Sequence, residues 1–144
     1  MMEAEAEITK CITTARYFSS QAEEWLLPRV IQGEARYMAS VPEPLGPILA
    51  IMPWNFPLWQ LFRFGASALA AGDTIVLKHA PNVPGCAEAI VDLCAAAGLP
   101  EGVITNVFAR VDQLESLVAD PRIAALTLTG STRAGRAVAA LAGR

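Results

Sequence analysis

A short segment bounded by prolines contains the residue of this sequence best suited to stabilising a developing negative charge. Asn55 lies in the run Pro53-Trp54-Asn55-Phe56-Pro57, and the two prolines restrict the backbone on both sides of it. A side-chain amide held in this way can donate a hydrogen bond to the oxyanion that forms when a nucleophile attacks a carbonyl group. The run also fits a rigid turn in which the asparagine satisfies its own backbone, since asparagine is common in turns. Both interpretations stay open on this segment alone.

Two further segments carry residue types that suit a nucleotide. The lysine of Lys78-His79-Ala80-Pro81 follows an apolar stretch and could meet a ribose or a phosphate; a solvated lysine at a strand end is the alternative. Thr129-Gly130-Ser131 turns into a predicted helix, whose first amides could receive a phosphate. Ordinary helix capping explains the serine equally well. The dinucleotide fingerprint Gly-x-Gly-x-x-Gly is absent from the chain.

Strand and helix patterns alternate around these segments. In chain order, the sequence predicts a strand over 48–52, a helix over 58–71, a strand over 74–77, a helix over 84–97, a strand over 103–108, a short helix capped by Asp112 and reaching Ala119, a strand over 123–129 and a last helix capped by Ser131 or Thr132. Repeated strand–helix pairs favour an α/β fold, with a parallel sheet covered by helices on both faces. Ligands bind such sheets beyond the carboxyl ends of the strands, where the segments above fall.

An amphipathic pattern precedes the strand–helix repeats. Apolar residues recur at three- and four-residue steps from Glu3 to about Leu26, which predicts a helix. A weak alternation over 34–40 predicts a short strand, and the prolines that follow predict an extended crossing. We therefore divide the chain into a leading helix and crossing segment over 1–45 and strand–helix repeats over 46–144.

Composition excludes several classes of function. Eleven basic and fourteen acidic residues give a net charge of −3, so no broad basic surface is expected for nucleic acid. The long charge-free stretch that contains 45–62 is interrupted by prolines and cannot cross a membrane as a helix. The acidic first residues lack the basic region of an export signal. The three cysteines and the single histidine have no metal-ligand spacing. A cytoplasmic protein without a metal, a membrane or a nucleic-acid partner is expected.

Four runs occur in a fixed order along the chain: Gly46-Pro47-Ile48-Leu49-Ala50-Ile51-Met52-Pro53-Trp54-Asn55-Phe56-Pro57, Gly72-Asp73-Thr74-Ile75-Val76-Leu77-Lys78, Gly98-Leu99-Pro100-Glu101-Gly102-Val103 and Leu128-Thr129-Gly130-Ser131. Together they resemble the NAD(P)-dependent aldehyde dehydrogenases, and the resemblance covers essentially the whole chain. Lys78–Asn82 and Asp120–Ala125 look most like bacterial succinate-semialdehyde dehydrogenases. The resemblance implies a partial NAD(P)-binding domain with a parallel Rossmann-like sheet, preceded by the amphipathic helix.

The resemblance also implies a reaction and a set of site residues. A cysteine thiolate attacks the aldehyde, hydride passes from the thiohemiacetal to the nicotinamide, and a glutamate-activated water hydrolyses the thioester to the acid. One residue, Asn55, matches a catalytic role, at the oxyanion. The residues that match cofactor-binding positions are Trp54 and Asn55 at the nicotinamide, Lys78 at the adenosine ribose with His79, Ala80 and Pro81 after it, and Gly130 and Ser131 at the pyrophosphate.

Two departures from the family pattern bear on the cofactor. Many NAD-preferring members have a glutamate at the position of Pro81, where it binds ribose hydroxyls and would repel a 2′-phosphate. Proline removes that repulsion, so NADP is the expected cofactor, with NAD as the alternative. Phe108-Ala109-Arg110-Val111 replaces a glycine-rich stretch that many relatives have near the adenine and pyrophosphate.

The family's catalytic cysteine and general-base glutamate would lie beyond Arg144. Cys11, Cys86 and Cys94 lie in helical patterns and are predicted to be buried core thiols. We therefore expect a fragment that is inactive alone, from an enzyme that oxidises an aldehyde, with succinate semialdehyde as the expected substrate, and that assembles as a homo-oligomer. The competing hypotheses are a short protein that binds a nucleotide or a partner without catalysis, and an assembly piece that docks through its first helix.

Overall fold

The order of strands and helices follows the alternating sequence pattern. The computed structural model describes residues 2–143. Its helices are α1 (Met2–Trp25), α2 (Pro57–Ala70), α3 (Pro84–Ala96), α4 (Leu114–Val118) and α5 (Thr132–Ala142), and its strands are β1 (Arg29–Val30), β2 (Ala39–Ser40), β3 (Pro47–Ile51), β4 (Thr74–Lys78), β5 (Ile104–Asn106) and β6 (Ala125–Leu128). The long strand–helix elements agree with the predicted ranges to within a few residues.

A parallel sheet with the strand order β5-β4-β3-β6 forms the centre of the molecule. Strand β3 lies inside the sheet, and Leu49 and Ala50 on its two faces are completely buried. On one face, apolar residues of α2 and α3 pack against the sheet, and on the other face those of α4 and α5 do so. This arrangement confirms the predicted α/β fold with helices on both faces. It also explains why β3 is a continuous apolar run.

The buried carboxylate of Asp73 joins the starts of the two inner strands. Its Oδ1 accepts hydrogen bonds from the backbone N–H groups of Leu45 (2.6 Å) and Gly46 (3.0 Å). Gly46 has a φ of +111°, a backbone conformation that favours glycine, so the chain can turn sharply into β3 at this point. The entry to β3 is therefore fixed relative to β4.

The segment before the sheet differs from the predicted one. Helix α1 packs against α2, as an amphipathic helix should. The strand predicted over 34–40 is wrong for most of its length, because only Ala39–Ser40 is extended and it pairs antiparallel with Arg29–Val30. The intervening residues form bends at the tip of this hairpin. Among the helices of residues 2–143, none has the length and apolar character needed to cross a bilayer.

The prediction of Asp112 as a helix cap is also wrong. A 3-10 turn over Val111–Gln113 precedes α4, and the side chain of Gln113 accepts a hydrogen bond from the backbone N–H of Arg110 (2.9 Å). The Asp112 carboxylate instead forms two hydrogen bonds with the Arg110 guanidinium, at 3.1 and 2.9 Å. An ion pair between these exposed neighbours takes up the side chain that would otherwise cap the helix.

Candidate cofactor-binding site

The carboxyl ends of β4, β3 and β6 lie side by side. Ile51 is in register with Lys78 on one neighbouring strand and with Leu128 on the other. The backbone continues the pairing by one step, since the N–H of Met52 donates to the Lys78 carbonyl (3.1 Å) and that of Thr129 donates to the Ile51 carbonyl (3.0 Å). The loops that contain Asn55, Pro81 and Ser131 therefore leave the sheet from the same edge.

Lys78 is buried at this edge. Only 7% of the residue is exposed, although lysine is seldom buried without a partner. Burial lowers the pKa of its ammonium group from the ordinary value. Among residues 2–143, no carboxylate forms an ion pair with it. Lys78 is therefore not the solvated lysine of the alternative interpretation. It is a buried cation, and a buried cation is stabilised by an anionic partner.

A cavity of about 410 Å³ opens beside Lys78. Its lining is Lys78, His79, Ala80, Pro81, Pro84, Asn106, Phe108, Ala109, Arg110 and Val111. The lining contains two cations, Lys78 and Arg110, and no carboxylate, and of the two Arg110 is already paired with the neighbouring Asp112. The side-chain oxygen of Asn106 is buried without a hydrogen-bond partner in the described chain. This chemistry suits a ligand that brings negative charge together with hydrogen-bond donors, as a phosphorylated nucleoside does.

His79 is held by the protein itself. Its Nδ1 accepts a hydrogen bond from the backbone N–H of Ala80 (2.9 Å), so Nε2 carries the proton and donates to the carbonyl of Pro57 (3.0 Å). Burial lowers the pKa of the imidazole, the Pro57 hydrogen bond raises it and the charge of Lys78 lowers it, with a net decrease. Both ring nitrogens are used, so the ring ties the end of β4 to the first turn of α2 and has no nitrogen left for a ligand.

The loop after β6 ends in a capped helix. The Ser131 hydroxyl accepts a hydrogen bond from the backbone N–H of Ala134 (3.2 Å), which makes Ser131 the N-cap of α5 rather than Thr132. Gly130 and Ser131 are both exposed. The helix N-terminus therefore has its partial positive charge at the open edge of the sheet, where a phosphate could approach.

The loop after β3 presents its functional side chains to solvent. Trp54 is 62% exposed, and Asn55 is exposed and lines a second cavity, of about 390 Å³, between α1 and the start of α2. The structure shows no hydrogen bond from the Asn55 side chain to another residue of 2–143. Asn55 therefore does not satisfy the backbone of its own turn. Phe56, the next residue, has a φ of +52°, which is uncommon for a residue other than glycine. The amide is thus available to a ligand on a backbone held in an unusual conformation.

Two of the three cysteines, Cys11 and Cys94, lack the features of an activated nucleophile. Burial raises the pKa of Cys11 to about 11, and burial also raises the pKa of Cys94. Cys86 is only half-buried on α3, so its prediction as a core thiol is wrong. It lies at the start of the helix, where one side of the backbone faces solvent. Nucleophilic thiols need a depressed pKa, which two of these groups clearly lack.

One contact at this edge was not anticipated from the sequence. Glu7 of α1 accepts hydrogen bonds from the backbone N–H groups of Leu58 (2.7 Å) and Trp59 (2.8 Å), in the first turn of α2. More than fifty residues separate the partners, and a glutamate on an amphipathic helix is usually solvated. Nothing in the local sequence marks this residue.

The fold and this edge together define a nucleotide-binding α/β domain, and comparison with known proteins identifies its family. The family model described as "Aldehyde dehydrogenase family" matches residues 1–144. The chain therefore belongs to the aldehyde dehydrogenase family, in agreement with the resemblance of the four sequence runs.

Individual relatives make the comparison more specific. The chain is 46% identical over 140 residues to a "Probable succinate-semialdehyde dehydrogenase [NADP(+)]" from Synechocystis sp., covering 97% of the chain and 31% of the relative. It is also 46% identical over 144 residues to "Succinate-semialdehyde dehydrogenase [NADP(+)] 1" from Mycobacterium tuberculosis, covering 97% of the chain and 31% of that relative. The chain thus spans about a third of the length of the curated relatives it matches.

A solved structure shows the same fold. The crystal structure of succinic semialdehyde dehydrogenase from Streptococcus pyogenes in complex with NADP+ superposes with a TM-score of 0.93 at 36% identity, covering 99% of this chain and 31% of that one. The α/β arrangement described above is therefore that of the corresponding part of an aldehyde dehydrogenase.

Proposed function

We propose that this chain is the cofactor-binding part of an NADP+-dependent oxidoreductase that converts succinate semialdehyde to the corresponding acid. The names of its relatives support the substrate and the cofactor. The observation that carries the proposal is the cavity beside Lys78, which is lined by this cation, buried and unpaired among residues 2–143, and by no carboxylate in a member of this family. Within this proposal, residues 1–45 are the leading helix and crossing segment, and 46–144 form the partial NAD(P)-binding domain.

The residues at the sheet edge fit an anionic dinucleotide. Lys78, which is buried beside the cavity, would donate to the adenosine ribose. Pro81 leaves room for a 2′-phosphate where a glutamate would repel it, and Arg110 lines the same cavity. Gly130, Ser131 and the first turn of α5 would receive the pyrophosphate. Bound NADP+ would supply the hydride acceptor of the reaction.

His79, Ala80 and Trp54 complete the proposed cofactor contacts in different ways. Since both nitrogens of the His79 ring are used within the chain, His79 would act by holding the loop, and Ala80 would contribute through its position in the cavity lining. Trp54, which is largely exposed, would border the nicotinamide when the cofactor is bound.

Asn55 is the catalytic residue that we propose in this chain. Its amide would donate to the oxyanion formed on the aldehyde, an interaction that is strongest in the transition state. The raised pKa values of Cys11 and Cys94 argue against either thiol as the nucleophile. As the family resemblance implies, the nucleophile and the general base would come from outside residues 1–144. The chain alone would then be inactive, and the complete enzyme would be a homo-oligomer, as the family resemblance implies. We also propose that it acts in the cytoplasm.

A chimera tests this proposal. Residues 1–144 would replace the matching segment of the Mycobacterium tuberculosis relative, and NADPH formation from succinate semialdehyde would be followed by absorbance. We expect activity in the chimera and a fall in kcat of about 100- to 1,000-fold in its Asn55→Ala variant, the usual effect of removing an oxyanion donor. Gln32→Ala, which removes an exposed amide from the hairpin, should leave kcat unchanged.

Titration of NADP+ and NAD+ onto the 144-residue chain completes the test. NADP+ binding to the chain together with an inactive, folded chimera would favour a nucleotide-binding protein without catalysis. Failure of the folded chain to bind either dinucleotide would contradict the proposal.

A further inference from the structure

The first turn of α2 is capped by a residue from another helix. Phe56, the N-cap residue, offers no side-chain hydrogen bond to the turn that it begins. Oε1 of Glu7 takes that place, with hydrogen bonds of 2.7 Å from Leu58 N–H and 2.8 Å from Trp59 N–H. A carboxylate at a helix N-terminus also interacts favourably with the helix dipole. One atom of α1 therefore satisfies two amides that the sequence around α2 leaves without a local partner.

A second side chain of α1 holds the same turn. Lys10 lies three residues after Glu7, on the same face of α1. Its Nζ is 4.0 Å from the centre of the Trp59 ring, within the range of a cation–π interaction. Glu7 thus binds the backbone of Trp59 while Lys10 contacts its ring.

These contacts bear directly on Asn55. It is the residue before Phe56, and it lines one cavity together with Glu7, Lys10 and Trp59. The left-handed backbone of Phe56 is unfavourable for an ordinary residue and persists only where its surroundings enforce it. Pro57 restricts one side of Phe56, and the amides bound by Glu7 follow immediately. Without the hydrogen bonds to Glu7, the first turn of α2 could shift. Phe56 could then leave its left-handed conformation, and the side-chain amide of Asn55 would move with it.

We propose that Glu7 is a positioning residue for Asn55, because its carboxylate fixes the turn that aims the asparagine amide. The proposal rests on the proposed function, in which that amide meets the oxyanion. It deepens that function by extending the catalytic arrangement to Glu7 in the first helix of the chain, 51 residues before its partner Leu58.

A double-mutant cycle in the chimera tests the coupling. Glu7→Ala is expected to lower kcat about 10- to 100-fold with less than a threefold change in KM for NADP+, because a displacement of about 1 Å in a catalytic group can have an effect of this size. In the Asn55→Ala background the same substitution is expected to change kcat less than twofold, since the group it positions is gone. Glu7→Gln keeps a side-chain oxygen that can accept the same two hydrogen bonds, so its kcat should lie between those of Glu7→Ala and the parent chimera.

The outcomes separate this proposal from the one on which it rests. If Asn55→Ala leaves kcat unchanged, the oxyanion role fails and the positioning role fails with it. If Asn55→Ala lowers kcat but Glu7→Ala lowers it equally in both backgrounds, Glu7 acts only on stability and the positioning proposal alone is wrong. Glu5→Ala, an exposed carboxylate two residues earlier on the same helix, is the matched control and should have no effect.

A measurement on the 144-residue chain decides the case if the parent chimera is inactive. The side-chain amide signals of Asn55 in a ¹H–¹⁵N NMR spectrum should move in Glu7→Ala and stay in place in Glu5→Ala. Signals that stay in place in both variants would overturn the proposal.

Discussion

The unpaired ammonium of Lys78 allows a sharp test of the cofactor site. Replacement by Met keeps a long apolar stem in the buried position and removes only the charge. A hydrogen bond to a charged group contributes about 1.5–3 kcal/mol, so the Kd for NADP+ should rise about 10- to 150-fold in Lys78→Met. Because no carboxylate of residues 2–143 pairs with the ammonium, its loss leaves no buried anion behind. Unfolding by denaturant should therefore show unchanged or slightly higher stability.

The pH dependence gives the same test a second readout. Burial lowers the pKa of Lys78 in the folded chain below its ordinary value of 10.5, so the unfolded chain binds more protons between the lowered value and 10.5. Stability contributed by this group should rise with pH across that window. NADP+ binding has the opposite trend, since the anion favours the charged ammonium: the affinity should fall as pH rises through the lowered pKa.

Isothermal titration at fixed ionic strength measures the Kd for NADP+ and its change with pH. Lys78→Met should lose the alkaline fall in NADP+ affinity, and Arg29→Met, which removes an exposed cation from the hairpin, should behave like the parent chain. A Kd in Lys78→Met within twofold of the parent value would refute the assignment of Lys78 to the cofactor.

Two other residues of the same loop give independent predictions. Pro81→Glu should weaken NADP+ binding more than NAD+ binding, because a carboxylate in the cavity repels a 2′-phosphate; titration with both dinucleotides checks this, and an unchanged ratio of affinities would count against the role of Pro81. His79 has a pKa below 6.5 in the folded chain, so the unfolded chain takes up its proton first and stability should fall as pH drops below 6.5. Denaturant unfolding between pH 7 and pH 5 measures this, and His79→Gln, which cannot be protonated, should reduce the fall.

The strands of the sheet were predictable because their sequence signals are local. Apolar runs such as 48–52 are bounded by prolines, and glycines close the helices between them, so each element can be identified within its own segment. The hairpin of β1 and β2 was not predictable in the same way. Its two strands are short and largely exposed, and their pairing depends on how the chain folds back after α1. No apolar periodicity indicates that register.

The position of the candidate site was predictable from the sequence, whereas the surroundings of its side chains were not. The rule that loops at the carboxyl ends of parallel strands bind ligands placed Asn55, Lys78 and Ser131 at one edge, and the register of the sheet agrees. The burial of Lys78, the two hydrogen bonds of the His79 ring and the contact of Glu7 with α2 arise from tertiary packing. A side chain's neighbours in space are not encoded in the residues beside it in sequence, so these features required the fold.

Gly130 provides a way to separate what the fold needs from what a ligand needs. Its φ lies outside the left-handed range, and an added Cβ would meet the Leu128 side chain at 3.5 Å and the Ala134 Cβ at 3.9 Å, which are ordinary van der Waals distances. The chain itself therefore gives no steric reason for glycine here, in contrast to Gly46 with its φ of +111°. Gly130→Ala should leave the melting temperature unchanged or slightly raised, since alanine restricts the unfolded chain, while NADP+ affinity falls because a methyl group stands where the pyrophosphate would approach. Gly46→Ala is the converse control and should lower the melting temperature; equal NADP+ affinity in the parent chain and Gly130→Ala would show that no phosphate comes close to this turn.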